Sequence, residues 1–197
     1  MYSPKDRRTL LTETCLTNGL TAYYCTTSKG IWIPAKEYRA WLKTQTPADP
    51  DPQRLPSEVD VEFVQPPFDT KAALCPEDGS YLARARVGYR PPFYIERCPC
   101  CDGIWLDHGE WNILEKLGFH TAIYKLFSPE WQNQVRKKEI ADQERQATIN
   151  KLGPELARKV FALAAELEES PNGDFGVAYL MRRFETVRNE RRSDRVF

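Results

Sequence analysis

The segment Cys98-Pro99-Cys100-Cys101-Asp102-Gly103-Ile104-Trp105-Leu106 decides how this chain of 197 residues folds. Cys98 and Cys101 are separated by two residues, so one tight turn aims both thiols at a single point, and Gly103 gives the turn conformational freedom. Such a turn supplies two of the four ligands of a tetrahedral Zn²⁺ ion, which binds thiolates at about 2.3 Å. The remaining ligands have to come from elsewhere in the chain.

A second turn of the same outline, Cys75-Pro76-Glu77-Asp78-Gly79, lies upstream of the first. It adds one thiol, but Asp78 stands where a fourth cysteine would be expected. The sequence therefore predicts one zinc ion per chain in a structural role, because paired two-residue spacings are typical of zinc ribbons and knuckles. The thiol ligands predicted for it are Cys75, Cys98 and Cys101.

The fourth ligand is open on sequence grounds. Asp78 holds the right position in its turn, and a carboxylate is an acceptable ligand for zinc. His108 is chemically the better ligand and opens the following helix, from which it could reach the metal. Cys100 is a weaker candidate, since its side chain should diverge from that of its neighbour Cys101. A water molecule is the remaining alternative.

The pattern around the Cys98 turn occurs twice in the chain. Gly30-Ile31-Trp32 recurs as Gly103-Ile104-Trp105, and a cysteine precedes each copy at the same distance. Further upstream, Cys15-Leu16-Thr17-Asn18-Gly19 resembles the Cys75 turn, which predicts a first repeat at about residues 15–42. Asparagine and serine replace zinc ligands there, so we expect a degenerate copy without metal. It would rely on the second repeat or on the aromatic residues Tyr23, Tyr24, Trp32 and Trp41.

The second repeat resembles a known family. From Cys98 to Glu110 the chain reads Cys-Pro-x-Cys-x-Gly-x-Trp-Leu-Asp-x-Gly-Glu, the pattern of the transcription-factor-IIB-type zinc ribbons of small prokaryotic proteins. The resemblance is specific over residues 74–117 and weak over the first repeat. It implies zinc ligation by the three cysteines, and the family name implies association with nucleic acid. Asp78 departs from the family pattern, and the C-terminal part lies outside the resemblance.

The expected fold class is α+β, with two small zinc-ribbon-like β units, one of them degenerate, followed by an α-helical C-terminal region. Prolines between the repeats predict an extended linker. Helix signals then place one helix at Pro129–Leu152 and an αα-hairpin of two amphipathic helices at about residues 154–190. The predicted segments are a degenerate repeat at 1–43, a linker at 44–71, a ribbon repeat at 72–118 and a helical region at 119–197.

The composition and the lengths of the apolar runs indicate the cellular compartment of the protein and the kinds of partner it binds. The 28 Lys and Arg residues balance 28 Asp and Glu residues, which argues against a chain devoted to polyphosphate partners. The longest apolar run, Val160–Ala165, is far shorter than the roughly 20 residues that span a bilayer. The N-terminus lacks the apolar segment of a signal peptide. We therefore expect a cytoplasmic protein without membrane contact, in which cysteines serve metal binding rather than disulfides.

Enzymatic alternatives fit the motifs poorly. The order of His108-Gly109-Glu110 and the cysteines is the reverse of that in zinc deaminases, and a redox Cys-x-x-Cys should open a helix in a βαβ unit. No small-molecule substrate is indicated. The sequence favours a non-enzymatic adaptor or regulator whose C-terminal helices bind a protein partner or a second copy. A thiol redox or zinc-dependent enzyme is the third choice.

The second choice is a regulator that binds nucleic acid. Arginines alternate with aromatic residues in the insert of the second repeat, and such a basic and aromatic surface suits nucleic acids. The residues concerned are Arg84, Arg86, Arg90 and Arg97, with Tyr81, Tyr89, Phe93 and Tyr94. A second group of arginines lies near the C-terminus: Arg182, Arg183, Arg188, Arg191, Arg192 and Arg195.

Overall fold

A computed structural model describes residues 1–51, 69, 71–89 and 91–193, with side chains up to residue 186. The chain divides into two compact units, Met1–Ile140 and Ala141–Phe197. Most of the predicted proline-rich linker, residues 52–68, lies outside the described residues. The division into four segments therefore stays a prediction.

Within the described part of the first unit, short strands form a six-stranded sheet in which every neighbouring pair is antiparallel. The strand order is β1-β2-β3-β6-β5-β4. The turns between strands are rich in Gly, Pro and Asn, which end extended segments after three or four residues. The strands are β1 (Thr12–Cys15), β2 (Thr21–Tyr24), β3 (Ile31–Ile33), β4 (Ala83–Arg86), β5 (Tyr94–Arg97) and β6 (Ile104–Leu106).

The two repeats build this sheet symmetrically. Strands β1 to β3 form the first half, strands β4 to β6 the second, and β3 pairs with β6 so that Trp32 lies opposite Trp105. Each tryptophan packs over the glycine of the other repeat, where a side chain would leave no room for the ring. The α+β fold class is confirmed, and the two ribbon-like units share one sheet instead of standing apart.

Each half of the sheet is followed by a helix, which the apolar spacing after each Gly-Ile-Trp segment explains. These are α1 (Ala35–Leu42) and α2 (Glu110–Lys116), followed by the single turn α3 (Ile123–Leu126). Their aromatic side chains pack together, with Tyr38 stacked on Trp41 at 5.9 Å and Trp41 6.1 Å from Trp111 between ring centroids. The fully buried Tyr38 hydroxyl donates to the His120 carbonyl at 2.7 Å, which ties the two repeats together.

Three longer helices complete the chain: α4 (Pro129–Leu152), α5 (Pro154–Glu169) and α6 (Gly173–Ser193). Ser128 caps α4 by accepting the Trp131 amide hydrogen bond at 3.2 Å, and proline at the first helical position suits this start. Gly153 ends α4 with a φ of 79°. None of the helices in the described ranges is long and apolar enough to cross a membrane.

Candidate metal centre

Two matched turns build the centre of the second repeat. The Cys75 amide donates to the Ser80 carbonyl at 2.8 Å, and the Cys98 amide donates to the Gly103 carbonyl at 2.8 Å. The fifth residue of each turn has a positive φ, 78° at Gly79 and 63° at Asp102. Because both turns fold back on their first cysteine, their side chains converge from opposite sides on one point.

The convergence produces a cluster of four donors. One ligand atom from each side chain lies within 4.8 Å of the others, and the residues are Cys75, Asp78, Cys98 and Cys101. The sulfurs of Cys75 and Cys101 are 3.5 Å apart, and the Cys98 sulfur is 3.2 Å from Oδ2 of Asp78. Thiolates about 2.3 Å from a tetrahedral Zn²⁺ lie about 3.8 Å from one another. The donor set and its spacing therefore fit zinc.

Backbone amides point at the sulfurs from within the turns. The Cys98 sulfur accepts from the amides of Cys100 at 3.3 Å and Cys101 at 3.4 Å, and the Cys75 sulfur accepts from Glu77 at 3.4 Å. Such donors favour the negatively charged thiolate, which is the form that binds metal. The turns thus orient the sulfurs, and their amide hydrogen bonds help to stabilise the negative charge of the thiolates that bind zinc.

The protonation states of the thiols and of the Asp78 carboxyl in the cluster bear on how it would bind a metal. Burial raises the pKa of the Cys75 thiol to about 11 and also raises the pKa of Cys101, so both are protonated at neutral pH when no metal is bound. The backbone amide of Ser80 lowers the pKa of the exposed Asp78 carboxyl to about 2. Zinc binding would therefore release protons from the thiols and meet a carboxylate that is already ionised.

The structure separates the other two candidate ligands from this cluster. His108 is exposed and does not belong to it, and Cys100 is exposed, with its sulfur 3.3 Å from the Ser80 hydroxyl. Of the predicted site residues, the three cysteines and Asp78 come together and His108 does not.

The first repeat contains a third turn of the same kind, which sequence reasoning missed. The Arg7 amide donates to the Ser3 carbonyl at 3.0 Å, and Arg7 has a φ of 58°, like Gly79 in the zinc turn. An isolated bridge between Tyr2 and Leu10 repeats the bridge that flanks the zinc turn of the second repeat. Ser3-Pro4-Lys5-Asp6 is therefore the counterpart of Cys75-Pro76-Glu77-Asp78.

The alignment of Cys15 with Cys75 is consequently wrong. Cys15 is the exposed last residue of β1, paired with Thr21, and β1 is the counterpart of β4 rather than of a zinc turn. Asn18 and Gly19 have positive φ angles of 55° and 80° because they reverse the chain between β1 and β2. The shared Cys-x-x-Asx-Gly pattern reflects the residues that any tight turn favours.

The true counterpart site of the first repeat has one thiol where the second repeat has three. Its four positions are Ser3, Asp6, Cys25 and Ser28, of which only Asp6 and Cys25 are good zinc ligands. The geometry survives: the Cys25 sulfur is 3.8 Å from Oδ2 of Asp6 and accepts from the Ser28 amide at 3.4 Å. The likeness of Ser-Pro-x-Asp to Cys-Pro-x-Asp was the signal that could have revealed this set.

Restoring the two thiols should create a second metal site. The double variant Ser3→Cys/Ser28→Cys reproduces the Cys, Asp, Cys and Cys donors of the second repeat on a backbone that has kept the turn geometry. We expect metal content, measured by elemental analysis of protein purified in zinc, to rise from one to two ions per chain.

The matched control is Ser3→Ala/Ser28→Ala, which should stay at one ion per chain. If the cysteine variant is folded by circular dichroism and still binds one ion, Ser3 and Ser28 do not occupy ligand positions.

A buried cluster of acidic side chains, which the sequence does not reveal, also lies in the first unit. Oxygens of Asp69, Asp107 and Glu110 lie within 4.8 Å of one another, and all three residues are buried. The Glu110 carboxylate accepts the Asp107 amide at 2.7 Å, which is one half of a capping box. The other half is replaced, because the Asp107 carboxylate accepts from the Trp105 indole at 2.8 Å.

Lysine from the first repeat partly neutralises this group. The Lys5 ammonium lies 2.5 Å from the Glu96 carboxylate and 3.3 Å from the Asp107 carboxylate, with its side chain fully buried. Burial raises the pKa of Glu96 to about 7 and raises that of Glu110 well above its usual value. Lys5 occupies the turn position that corresponds to Glu77, whose carboxylate accepts from the Trp32 indole at 3.1 Å. The charged side chain at this position of each turn therefore contacts the other repeat.

Comparison with known proteins agrees with the geometry. Residues 74–117 match the model of a family described as transcription factor zinc-finger, the TFIIB-type zinc ribbon. The match confirms the resemblance seen in the sequence, and together with the Cys and Asp cluster it supports one zinc ion per chain. No curated protein and no solved structure gives a significant match to the chain.

Proposed function

We propose that this chain, whose residues 74–117 form a TFIIB-type zinc ribbon, is a non-enzymatic zinc-binding adaptor or regulatory protein. Its zinc stabilises the sheet of the first unit, and its C-terminal helices make the protein contacts. The observation that carries the proposal is the large apolar surface that α5 and α6 expose. Its exposed side chains include Leu156, Val160, Leu163, Val177, Met181 and Phe184.

For the metal we propose Cys75, Cys98, Cys101 and Asp78 as the four ligands. Four protein donors complete a tetrahedral zinc and leave no position for a reacting water, as in structural sites. Catalytic zinc sites keep such a position open. This closed donor set supports a structural role and argues against the zinc enzyme and the thiol redox alternatives. A reduced cysteine cluster fits the cytoplasm, where we place the protein.

Binding to nucleic acid is the alternative function, and three of the insert arginines that suggested it have partners within the chain. Arg84 pairs with the buried Asp69 at 2.9 Å and lies 4.2 Å from the ring centroid of Tyr94. Arg86 pairs with Glu139 at 2.7 Å. Arg97 lies over the Phe127 ring at 4.9 Å. Arg90 is outside the described residues. These contacts support a structural role for the arginines over phosphate binding.

A photo-cross-linking amino acid tests the proposal at the hairpin surface. Placed at Leu163 on the apolar face of α5, it should form adducts with protein upon irradiation in cells. The matched control is the same amino acid at the exposed Ala165, which points away from that face because residues two apart do not share a helix face.

Titration with labelled duplex and single-stranded oligonucleotides addresses the alternative. Tight binding that weakens steeply with added salt is the signature of phosphate contacts. Such binding, together with equal or no protein adducts at Leu163 and Ala165, would reject the adaptor function in favour of a nucleic-acid regulator.

A further inference from the structure

Helices α5 and α6 leave an open apolar groove along their length. The groove has a volume of about 690 Å³, and its apolar lining comes from both helices. Phe184 is 72% exposed and Met181 60% exposed, whereas Ala157 is fully buried. An exposed apolar surface of this extent is typical of an interaction site. The lining includes Val160, Leu163, Leu167, Val177, Leu180 and Met181.

Charge is distributed unevenly along the hairpin. The half that contains the turn, residues 161–180, carries acidic side chains and no Lys or Arg: Glu166, Glu168, Glu169 and Asp174. The opposite half carries the basic side chains Arg158, Lys159, Arg182 and Arg183, together with Glu155 and Glu185. Glu155 and Arg158 form an ion pair at 2.7 Å, which leaves Lys159, Arg182 and Arg183 against Glu185 at this end. The hairpin is therefore acidic at its turn and basic at its open end.

When two hairpins lie antiparallel, the acidic turn of each lies beside the basic open end of the other. Lys159 and Glu166 are seven residues apart on α5, so two helical turns bring them to the same edge of the apolar stripe, on either side of Leu163. In an antiparallel pair, Lys159 of each hairpin faces Glu166 of the other. In a parallel pair, like charges would meet at both positions.

We propose that the occupant of the groove is the hairpin of a second copy of this chain, packed antiparallel to form a two-fold symmetric four-helix bundle. A two-fold interface uses the same patch on both partners, and the stripe with its flanking charges satisfies that condition. The inference rests on the proposed function, and it identifies the protein contact as one between copies of the chain.

Sedimentation velocity of the zinc-loaded chain of 197 residues tests the association. We expect dimers at micromolar concentration. Leu163→Asp should weaken the association about 100-fold, because a charge would be buried in the apolar interface. Ala165→Asp is the matched control: it introduces the same residue on the other side of α5 and should remain a dimer. A monomeric wild-type chain at roughly 100 µM, or equal effects of the two variants, would overturn the proposal.

Charge reversal tests the orientation. Lys159→Glu alone places two acidic groups together in each half of the antiparallel pair, and Glu166→Lys alone places two basic groups together. Each variant should therefore dimerise about tenfold more weakly than the wild type, and an equimolar mixture of the two should regain wild-type affinity as a heterodimer. Wild-type affinity of the single variants, or no gain on mixing, would overturn the antiparallel arrangement.

The outcomes also separate this inference from the proposed function. If the chain is monomeric but the cross-linker at Leu163 captures a different protein, self-association is wrong and the adaptor function stands. If the chain is monomeric and Leu163 gives no adduct, both are wrong.

Discussion

Cys98→Ser should abolish zinc binding and unfold the sheet of the first unit. The Cys98 side chain is fully buried between the two turns, and its sulfur accepts two backbone amides. A hydroxyl cannot replace a thiolate as a ligand, and structural zinc contributes about 10 kcal/mol or more of apparent folding free energy in small domains. We expect metal content to fall from one ion to none, with loss of the cooperative thermal transition.

A series of single variants gives this prediction its controls. Cys15→Ser and Cys100→Ser should keep one zinc per chain, since both residues are exposed and outside the cluster. Asp78→Ala should weaken zinc retention against a chelator, whereas His108→Ala should leave it unchanged. A folded, metal-loaded Cys98→Ser protein would contradict the ligand assignment. Loss of zinc from His108→Ala would move the fourth ligand to the histidine.

Gly103→Ala should destabilise both repeats at once. A Cβ atom there would lie 2.5 Å from Cη2 of Trp32 and closer still to Cζ2, and the Trp32 side chain is fully buried with no room to retreat. Overpacking of this kind costs about 3 kcal/mol. For a chain of this size that lowers the thermal midpoint by about 10 °C, measured by circular dichroism on zinc-loaded protein. Gly30→Ala should behave alike, because its Cβ would lie 2.8 Å from Cη2 of Trp105.

A double-mutant cycle identifies the cause of that destabilisation. Trp32→Phe removes the ring atoms that meet the added methyl group, so Gly103→Ala should cost far less in the Trp32→Phe background than in the wild type. If the two effects are additive, the tryptophan is not what requires glycine at this position, and the packing argument is wrong.

Much of the fold could be predicted because its signals are local. The Cys-x-x-Cys turn, the repeated Gly-Ile-Trp segment and the Ser-Pro start of α4 each express a short-range preference, and α4 begins and ends at the predicted residues. The pairing of β3 with β6 joins segments far apart in sequence. The only local sign of this pairing is the glycine two residues before each tryptophan. Its role is clear only from the structure, where each glycine leaves room for the tryptophan ring of the other repeat.

The first repeat shows why the rest escaped prediction. With serine at two of the ligand positions, the turn at Ser3–Asp6 lacks the cysteine spacing that marks a zinc turn in a sequence. Cys15 was aligned with Cys75 instead, because it is a cysteine followed by a similar turn pattern. Burial was equally hidden. Nothing in the sequence marks Lys5 and Glu96 as buried, yet both are buried and their charged groups form an ion pair between the two repeats.

The reciprocal packing of Trp32 and Trp105 affects how many zinc ions the first unit needs in order to fold. Two independent ribbons would each require an ion and would lose their folds separately as zinc became scarce. Here one ion serves both halves, because the metal-free half is joined to the metal-bound half by a continuous strand pairing and two interlocked rings. The chain therefore needs one zinc ion where two independent ribbons would need two. We expect its first unit to unfold as a whole when zinc is removed.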